Sequence, residues 1–266
     1  MNDKHNPYNC GKNTINKLLC KTRQIQHKSY LQPMKRAFFF VVNLALFITV
    51  SFGQREEEKI SKLKFCGYKY KDSALLRKHF EQQLAFLQIQ SGDTIVDIGS
   101  SSGAYIGSIN VIADFKNVHF ILVDIDSNCL NTTKVNNMIA HYEGLRGRPF
   151  NNTIGFVKNT TDSLWLPLNR YKKMWIFNTL HEIPDKEDII RQMAAVLQSG
   201  GELIIADLMA TEKRKIHTGC HKPLMTEDEI KKLMLNEGFE YKNVAINPLP
   251  VKKMKNPYYL FRFVKR

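Results

Sequence analysis

The sequence has few cysteines and no Cys-x-x-Cys pair. The five cysteines stand far apart and their number is odd: Cys10, Cys20, Cys66, Cys129 and Cys220. This spacing predicts neither a disulfide framework nor a zinc ribbon. No internal repeat of useful length is visible, which argues against solenoids and propellers.

Acidic residues are also scarce. The chain has 25 Asp and Glu against 39 Lys and Arg, which gives a net charge of +14. The excess lies at the two ends, because residues 1–36 contribute +7 and residues 251–266 contribute +6. Residues 37–250 therefore carry only +1. A nearly neutral body predicts no nucleic-acid partner. The basic ends either touch phosphate or anionic lipid, or act as solubilising and targeting charges.

Long hydrophobic runs are absent except at residues 37–52, AFFFVVNLALFITVSF. Two basic residues precede this run and small residues end it, so the segment 34–53 resembles a bacterial secretory signal peptide. A spanning helix needs about 20 residues, so an uncleaved anchor, and with it membrane association through 37–52, is the alternative.

This segment divides the chain. We expect a disordered basic N-terminus over 1–33, a signal or anchor over 34–53, a linker over 54–72 and one domain over 73–266. If 34–53 acts as a signal, the protein belongs to the bacterial cell envelope, periplasmic or membrane-anchored, and otherwise to the cytoplasm.

The most informative stretch is 92–108, GDTIVDIGSSSGAYIGS. The β-branched run 94–98 predicts a buried strand, and a glycine turn follows before an apolar pattern typical of a helix. Such a turn lets a ligand approach backbone N–H groups. A dinucleotide fingerprint would need a second glycine where Ser101 stands, which disfavours a nicotinamide cofactor.

Several motifs in order resemble class I S-adenosylmethionine (SAM) methyltransferases. Asp97 with Gly99 and Gly103 resembles the family's first motif, with Ser101 departing from it. Further resemblances follow along the chain: Val123-Asp124-Ile125-Asp126-Ser127, Thr161-Asp162-Ser163 before Pro167, the segment 178–185, and LQSGGELIIADL.

This resemblance implies an α/β fold, a Rossmann-like three-layer sandwich with a seven-stranded, mostly parallel sheet and an antiparallel last strand. It also implies that SAM is the cofactor, with Asp124 accepting from the ribose hydroxyls and Asp162 from the adenine amine. The residues expected to bind SAM are Asp97, Gly99, Ser101, Gly103, Asp124, Ile125, Asp162, Ser163 and Asn178.

The implied activity is methyl transfer to an unidentified small-molecule acceptor, mostly by positioning and exclusion of water. If a base is needed, the candidates are His181, Glu182 and His217, although His181 equally suits a packing role. The alternative is an exported, non-catalytic relative that binds a ligand or partner, and a nicotinamide oxidoreductase is a weaker third.

The segment 209–226 interrupts the alternation of strands and helices, and it serves either as part of an acceptor pocket or as a surface loop. His217, Cys220 and His221 lie within five residues there. They offer at most three metal ligands, with no obvious fourth nearby except through a spatial approach of His181. We therefore predict no metal site from the spacing alone.

Overall fold

A computed structural model describes residues 63–246 and 256–266. These residues contribute seven strands: β1 (Thr94–Ile98), β2 (His119–Asp124), β3 (Thr153–Lys158), β4 (Tyr171–Phe177), β5 (Leu197–Leu208), β6 (Phe239–Ile246) and β7 (Tyr258–Lys265). The strands form one sheet in the order β3-β2-β1-β4-β5-β7-β6. β7 pairs antiparallel with both β5 and β6, whereas the pairs from β3 to β5 are parallel. The predicted fold class is confirmed.

Five α-helices flank this sheet: α1 (Ser73–Leu87), α2 (Ala104–Ile112), α3 (Thr132–Arg146), α4 (Lys186–Val196) and α5 (Glu227–Asn236). The local sequence explains where they begin. Thr226 starts α5 with a capping box, in which Glu229 returns a carboxylate to the Thr226 backbone N–H. Asn131 starts α3 in the same position, where its side chain accepts from the Lys134 N–H.

The hydrophobic core has one layer on each face of the sheet. Met174 and Ile176 of β4 pack into the layer that contains α4 and α5 residues. Trp175 and Phe177 of the same strand pack into the other layer, with residues of α1, α2 and α3. This alternation is the period of two that a strand buried on both faces requires, and it produces the three layers.

The chain changes direction across the sheet at β1. From β1 it moves outward through β2 to β3, then returns to place β4 on the other side of β1. In open α/β sheets, the crevice outside the carboxyl ends of the strands at such a switch point is where ligands bind.

Residues 63–72 correct our expectation of a linker over 54–72. Phe65 and Tyr70 pack against the core layer that contains α1 to α3. The Ser102 hydroxyl accepts from the Cys66 N–H at 2.7 Å and donates to its carbonyl at 2.6 Å. These contacts make the segment part of the folded domain. Sequence analysis did not reveal this, because contacts with residues far along the chain leave no local periodicity.

A disulfide joins Cys66 to Cys129, with Cα atoms 5.4 Å apart and a sequence separation of 63. We predicted no disulfide framework from the spacing, and the structure contains this one pairing among the described cysteines. Sequence spacing did not reveal it because the pair forms only when the segment 63–72 folds back over the start of α2. Of the described cysteines, Cys220 remains free.

β5 begins earlier than its apolar pattern suggests. Ser199, Gly200 and Gly201 are typical of a turn before a strand, but pairing starts at Leu197 opposite Tyr171. Gly200 has a φ of 73°, and the register with β4 shifts between Tyr171 and Lys173. The glycine pair thus forms an irregularity inside the strand.

None of the helices in the two described ranges is long and apolar enough to cross a membrane. The expectations for 1–33 and for the signal or anchor segment 34–53 lie outside the described residues.

Candidate cofactor site

A cavity of about 580 Å³ lies at the carboxyl edge of the sheet, at the switch point beside β1. The residues that follow β1, β2, β3 and β4 all contribute to its wall. Its volume is in the range of small-molecule and cofactor sites. Six of the predicted residues line it: Gly99, Ser101, Asp124, Ile125, Asn178 and Glu182.

Gly99 leaves β1 in a conformation that a larger residue cannot adopt there. Its φ is 72°, and a Cβ atom would lie 2.3 Å from both Cγ2 and Oγ1 of Thr179. Thr179 is itself fixed, because its hydroxyl donates to the Phe177 carbonyl at 2.9 Å. The ends of β1 and β4 are therefore pressed together at the floor of the cavity.

Ser101 takes the left-handed backbone that the family's glycine would supply, with a φ of 54°. Its N–H donates to Asp124 Oδ2 at 2.6 Å, and the Asp126 N–H donates to Asp124 Oδ1 at 2.9 Å. Each carboxylate oxygen still has acceptor capacity. Asp124 thus ties the glycine loop to the end of β2 and keeps lone pairs for a ligand.

Gly103 has a packing role in the structure, and its predicted contact with the cofactor stays a prediction. It precedes α2 with a φ of 82°, and a Cβ there would come within 2.6 Å of the Leu122 side chain. It does not line the cavity. Glycine at this position lets the start of α2 pack closely on β2, behind the loop.

Asp97 is 3% exposed and also does not line the cavity. Burial raises its pKa to about 8, the Trp175 indole N–H opposes part of that shift, and the negative charge of Asp124 adds to it. The carboxyl group is therefore mostly protonated at neutral pH. The predicted contact between Asp97 and the cofactor stays a prediction.

Ile125 and Asn159 define the end of the cavity beyond β2 and β3. Ile125 is 57% exposed although it is apolar, and it lines the cavity. Asn159 follows β3, and its Oδ1 accepts from the Trp165 N–H at 3.0 Å. Its Nδ2 is buried and has no hydrogen-bond partner among the described residues.

Asp162 and Ser163, which we predicted near the adenine, do not line the cavity. The Asp162 side chain is exposed, and its backbone carbonyl accepts from the Gln192 amide. A bridge between Thr160 and Ser163 closes a tight turn that directs them outward. Asn159, three residues earlier, occupies the wall instead.

Asn178 reaches the cavity from the end of β4. It has a φ of 51°, and its N–H donates to the Ala206 carbonyl at 2.7 Å. Its side chain also hydrogen-bonds with Tyr258, a buried residue of β7. Burial raises the pKa of Tyr258 well above its usual range, and this hydrogen bond opposes part of the rise.

His181 does not line the cavity. It is 4% exposed, and its Nδ1 lies 2.8 and 2.9 Å from the two carboxylate oxygens of Asp207. His217 approaches it with a ring-centroid distance of 4.7 Å. Of the three predicted catalytic candidates, Glu182 lines the cavity and the two histidines do not.

Sequence reasoning missed four residues that shape this region: Asn159, Thr179, Asp207 and Tyr258. Asn159, Thr179 and Asp207 each stand at or just past the carboxyl end of a strand, which is the position that could have identified them. Tyr258 had no comparable signal, because it arrives from the antiparallel strand β7.

Comparisons with known proteins agree with this architecture. A family model described as a methyltransferase domain matches residues 89–263. The ubiquinone/menaquinone biosynthesis C-methyltransferase UbiE of Vibrio cholerae serotype O1 is 27% identical over 116 residues, which is 44% of this chain and 41% of that protein. The chain thus spans about two fifths of the length of the curated relatives it matches.

Solved structures show the fold at low sequence identity. A SAM-dependent methyltransferase from Aquifex aeolicus is 17% identical with a TM-score of 0.50, covering 78% of this chain and 98% of that one. A structure described as a putative methyltransferase from Bacillus halodurans C-125 has 13% identity and a TM-score of 0.52, with coverages of 73% and 98%. The [4+2]-cyclase SpnF is 13% identical with a TM-score of 0.51, covering 76% of this chain and 86% of that one.

Proposed function

This chain belongs to the methyltransferase domain family, and we propose that it transfers the methyl group of SAM to a small-molecule acceptor. One observation carries the choice of donor. The glycine turn, an acceptor-only carboxylate at the end of β2 and an amide at the end of β4 meet around one cavity at the switch point of the sheet. This is the arrangement that suits a nucleoside with a charged tail.

The ribose of SAM would be held by Asp124. Its two oxygens each accept one backbone N–H, from Ser101 and from Asp126, and each retains a lone pair for a hydroxyl. Gly99 favours close approach of SAM to the backbone of the loop after β1, because it has no side chain that would shield the backbone.

The adenine would lie against Ile125. An apolar side chain that is 57% exposed at a cavity wall gains free energy when a flat ring covers it. Leu164 and Ile189 also line the cavity. The unpartnered Nδ2 of Asn159 can donate to a ring nitrogen, so we assign to Asn159 the polar adenine contact first expected of Asp162.

SAM supplies an electrophilic methyl group on a sulfonium. The chain's own contribution is to orient this donor, exclude water and place the acceptor, which requires no strongly basic residue. Glu182, whose side chain is 53% exposed at the cavity wall, is the candidate to take a proton from an acceptor. The nearly neutral body supports a small-molecule acceptor over a nucleic acid.

A second function is a ligand- or partner-binding relative that does not transfer methyl groups. Ser101 favours it, because a side chain stands at the position where the family's glycine meets the cofactor. The cyclase among the similar structures illustrates that this fold is not tied to one reaction.

Calorimetric titration of the full chain with SAM, and with NADH as a control, tests the proposal. We expect saturable SAM binding and no NADH binding. Asp124→Ala should lose at least tenfold in SAM affinity, whereas Asp162→Ala should keep it. A folded sample that binds neither compound would favour the second function, and equal loss in both variants would overturn the assigned site.

The Cys66–Cys129 disulfide also supports a location outside the cytoplasm. Disulfides persist in oxidising compartments, and the segment 34–53 has the composition of an export signal. We propose that this segment directs the domain to the cell envelope, either cleaved or retained as a membrane anchor through 37–52.

Fusion of the full chain to alkaline phosphatase, which is active only after export, tests this location in a bacterial host. The native segment should give phosphatase activity, and Leu46→Arg, which interrupts the apolar run, should abolish it. Activity unaffected by Leu46→Arg would overturn the role of this segment in export. Activity absent from both fusions despite normal protein levels would place the domain in the cytoplasm.

A further inference from the structure

Three potential metal ligands from distant parts of the chain converge beside the cofactor cavity. His181 follows β4, whereas His217 and Cys220 belong to the segment between β5 and α5. One nitrogen of each histidine and the Sγ of Cys220 all lie within 4.8 Å of one another. We propose that these three residues form a binding site for a zinc-type divalent cation.

His181 is prepared as a ligand. Asp207, 2% exposed, contacts Nδ1 with both carboxylate oxygens, and the Asp207 carboxylate also accepts from the His181 backbone N–H at 3.1 Å. A carboxylate accepts, so Nδ1 carries the proton and Nε2 has the free lone pair. Nε2 is buried and has no hydrogen-bond partner among the described residues. This carboxylate–histidine pairing is the usual outer-shell support of a zinc ligand.

The other two ligands come from a loop held in place by its own backbone. Leu224 donates its N–H to the Lys215 carbonyl, and His217 donates its N–H to the Lys222 carbonyl, both at 2.8 Å. These bonds close a tight loop over 215–224, and both His217 and Cys220 lie within it. The two side chains already touch, with Nδ1 3.0 Å from Sγ. The same Nδ1 accepts from the Cys220 backbone N–H at 3.2 Å, so a cation that binds His217 through Nδ1 would replace this bond.

The donor set indicates the kind of metal. Two imidazole nitrogens and one thiolate favour zinc and similar borderline ions, and disfavour magnesium and calcium, which prefer oxygen. With three ligands, a tetrahedral ion keeps one open position for water or an exogenous group. Glu182 is the nearest further candidate, since its Oε1 lies 3.8 Å from His181 Nε2.

The proposal revises our prediction of no metal from spacing. His217 and Cys220 alone are an incomplete site, and His221 does not join them. The third ligand is supplied by tertiary structure, from a residue 36 positions earlier than His217. The site does not depend on the identity of the methyl donor, because its ligands do not line the cofactor cavity.

Metal titration of the full chain tests the site. The protein, purified without a metal-affinity tag and stripped with chelator, would be titrated with Zn²⁺ against a chromophoric competitor and with Co²⁺ by visible absorption. We expect one ion at this site and a thiolate-to-cobalt charge-transfer band. Cys220→Ser should abolish the band and weaken Zn²⁺ binding at least tenfold, and Asp207→Asn should weaken it about tenfold.

His221→Asn is the matched control, because it removes a neighbouring imidazole and asparagine tolerates the positive φ of that position. It should leave binding and the band unchanged. Alkylation followed by mass spectrometry adds a measurement on the unaltered chain, in which Zn²⁺ should protect Cys220 from the reagent. Zinc binding unaffected by Cys220→Ser, absence of the band, or no protection of Cys220 would each overturn the proposal.

Discussion

The backbone N–H of Ser101 donates to Asp124 Oδ2 at 2.6 Å while Ser101 itself has a φ of 54°. The loop after β1 is therefore held in a left-handed conformation by the carboxylate at the end of β2. This relationship couples the shape of the cofactor loop to the residue that we assign to the ribose. It also makes the loop sensitive to the side chain at position 101.

The effect of replacing Ser101 on the free energy of unfolding should depend on how well the new residue tolerates a positive φ. Ser101→Val should cost about 1–3 kcal/mol, because a β-branched residue is strained there. Ser101→Gly should stay within about 1 kcal/mol, since relief of strain offsets the greater freedom of the unfolded chain. Urea unfolding measures the free energy of unfolding of each variant. Equal losses in the two variants would contradict a left-handed backbone at Ser101.

Gly99→Ala should destabilise the domain through overlap with Thr179. The new Cβ would lie 2.3 Å from two Thr179 atoms, and overpacking of this kind costs about 1–3 kcal/mol. Gly92→Ala is the matched control, because Gly92 also has a positive φ, of 88°, but open space around its Cβ position. The difference between the two free energies of unfolding isolates the overlap. A difference near zero would count against the close approach of β1 and β4.

Reduction of the Cys66–Cys129 disulfide should lower stability substantially. A cross-link that spans 63 residues contributes about 4 kcal/mol in the chain-entropy model. Dithiothreitol should therefore lower the melting temperature of the unaltered chain and leave that of Cys66→Ser unchanged. Cys220→Ser, in metal-free buffer, should respond to dithiothreitol like the unaltered chain. A melting temperature insensitive to reduction would show that the disulfide does not form.

The buried Asp97 should make stability fall as the pH rises. Its pKa is raised to about 8, whereas an unfolded aspartate has about 3.9, so the folded state binds the extra proton between these values. The stabilising contribution is complete below pH 4 and is lost as the pH rises towards 8, by up to about 1.4 kcal/mol per pH unit. Asp97→Asn should remove this dependence. Urea unfolding from pH 5 to 9 measures this. The prediction is contradicted if the free energy of unfolding changes with pH in the same way for both proteins.

Much of the architecture was predictable because its signals are local. Apolar periods placed the strands and helices, and caps such as Thr226 marked where helices begin. The ordered motifs around Gly99 and Asp124 predicted the sheet and most of one cavity wall. Backbone geometry at a strand–glycine–helix junction is set by the adjacent residues, so the sequence is sufficient to identify it.

Other site features depended on residues that meet only in the folded chain. Asp97 carries the expected motif, yet its environment is the core behind the loop. Asp162 matches the family pattern, but a turn directs it outward, and Asn159 lines the cavity in its place. A motif specifies residue types and spacing, whereas the direction of a side chain depends on how the loop packs.

The sequence by itself therefore determined the fold class, the family and the position of the glycine loop after β1. Only the tertiary structure decided that Cys66 pairs with Cys129 and that His181 joins His217 and Cys220. The physical reason is one of range. Hydrogen bonding and periodicity act between neighbours in sequence, while disulfides and clusters of metal ligands require atoms within a few ångströms that the whole fold must bring together.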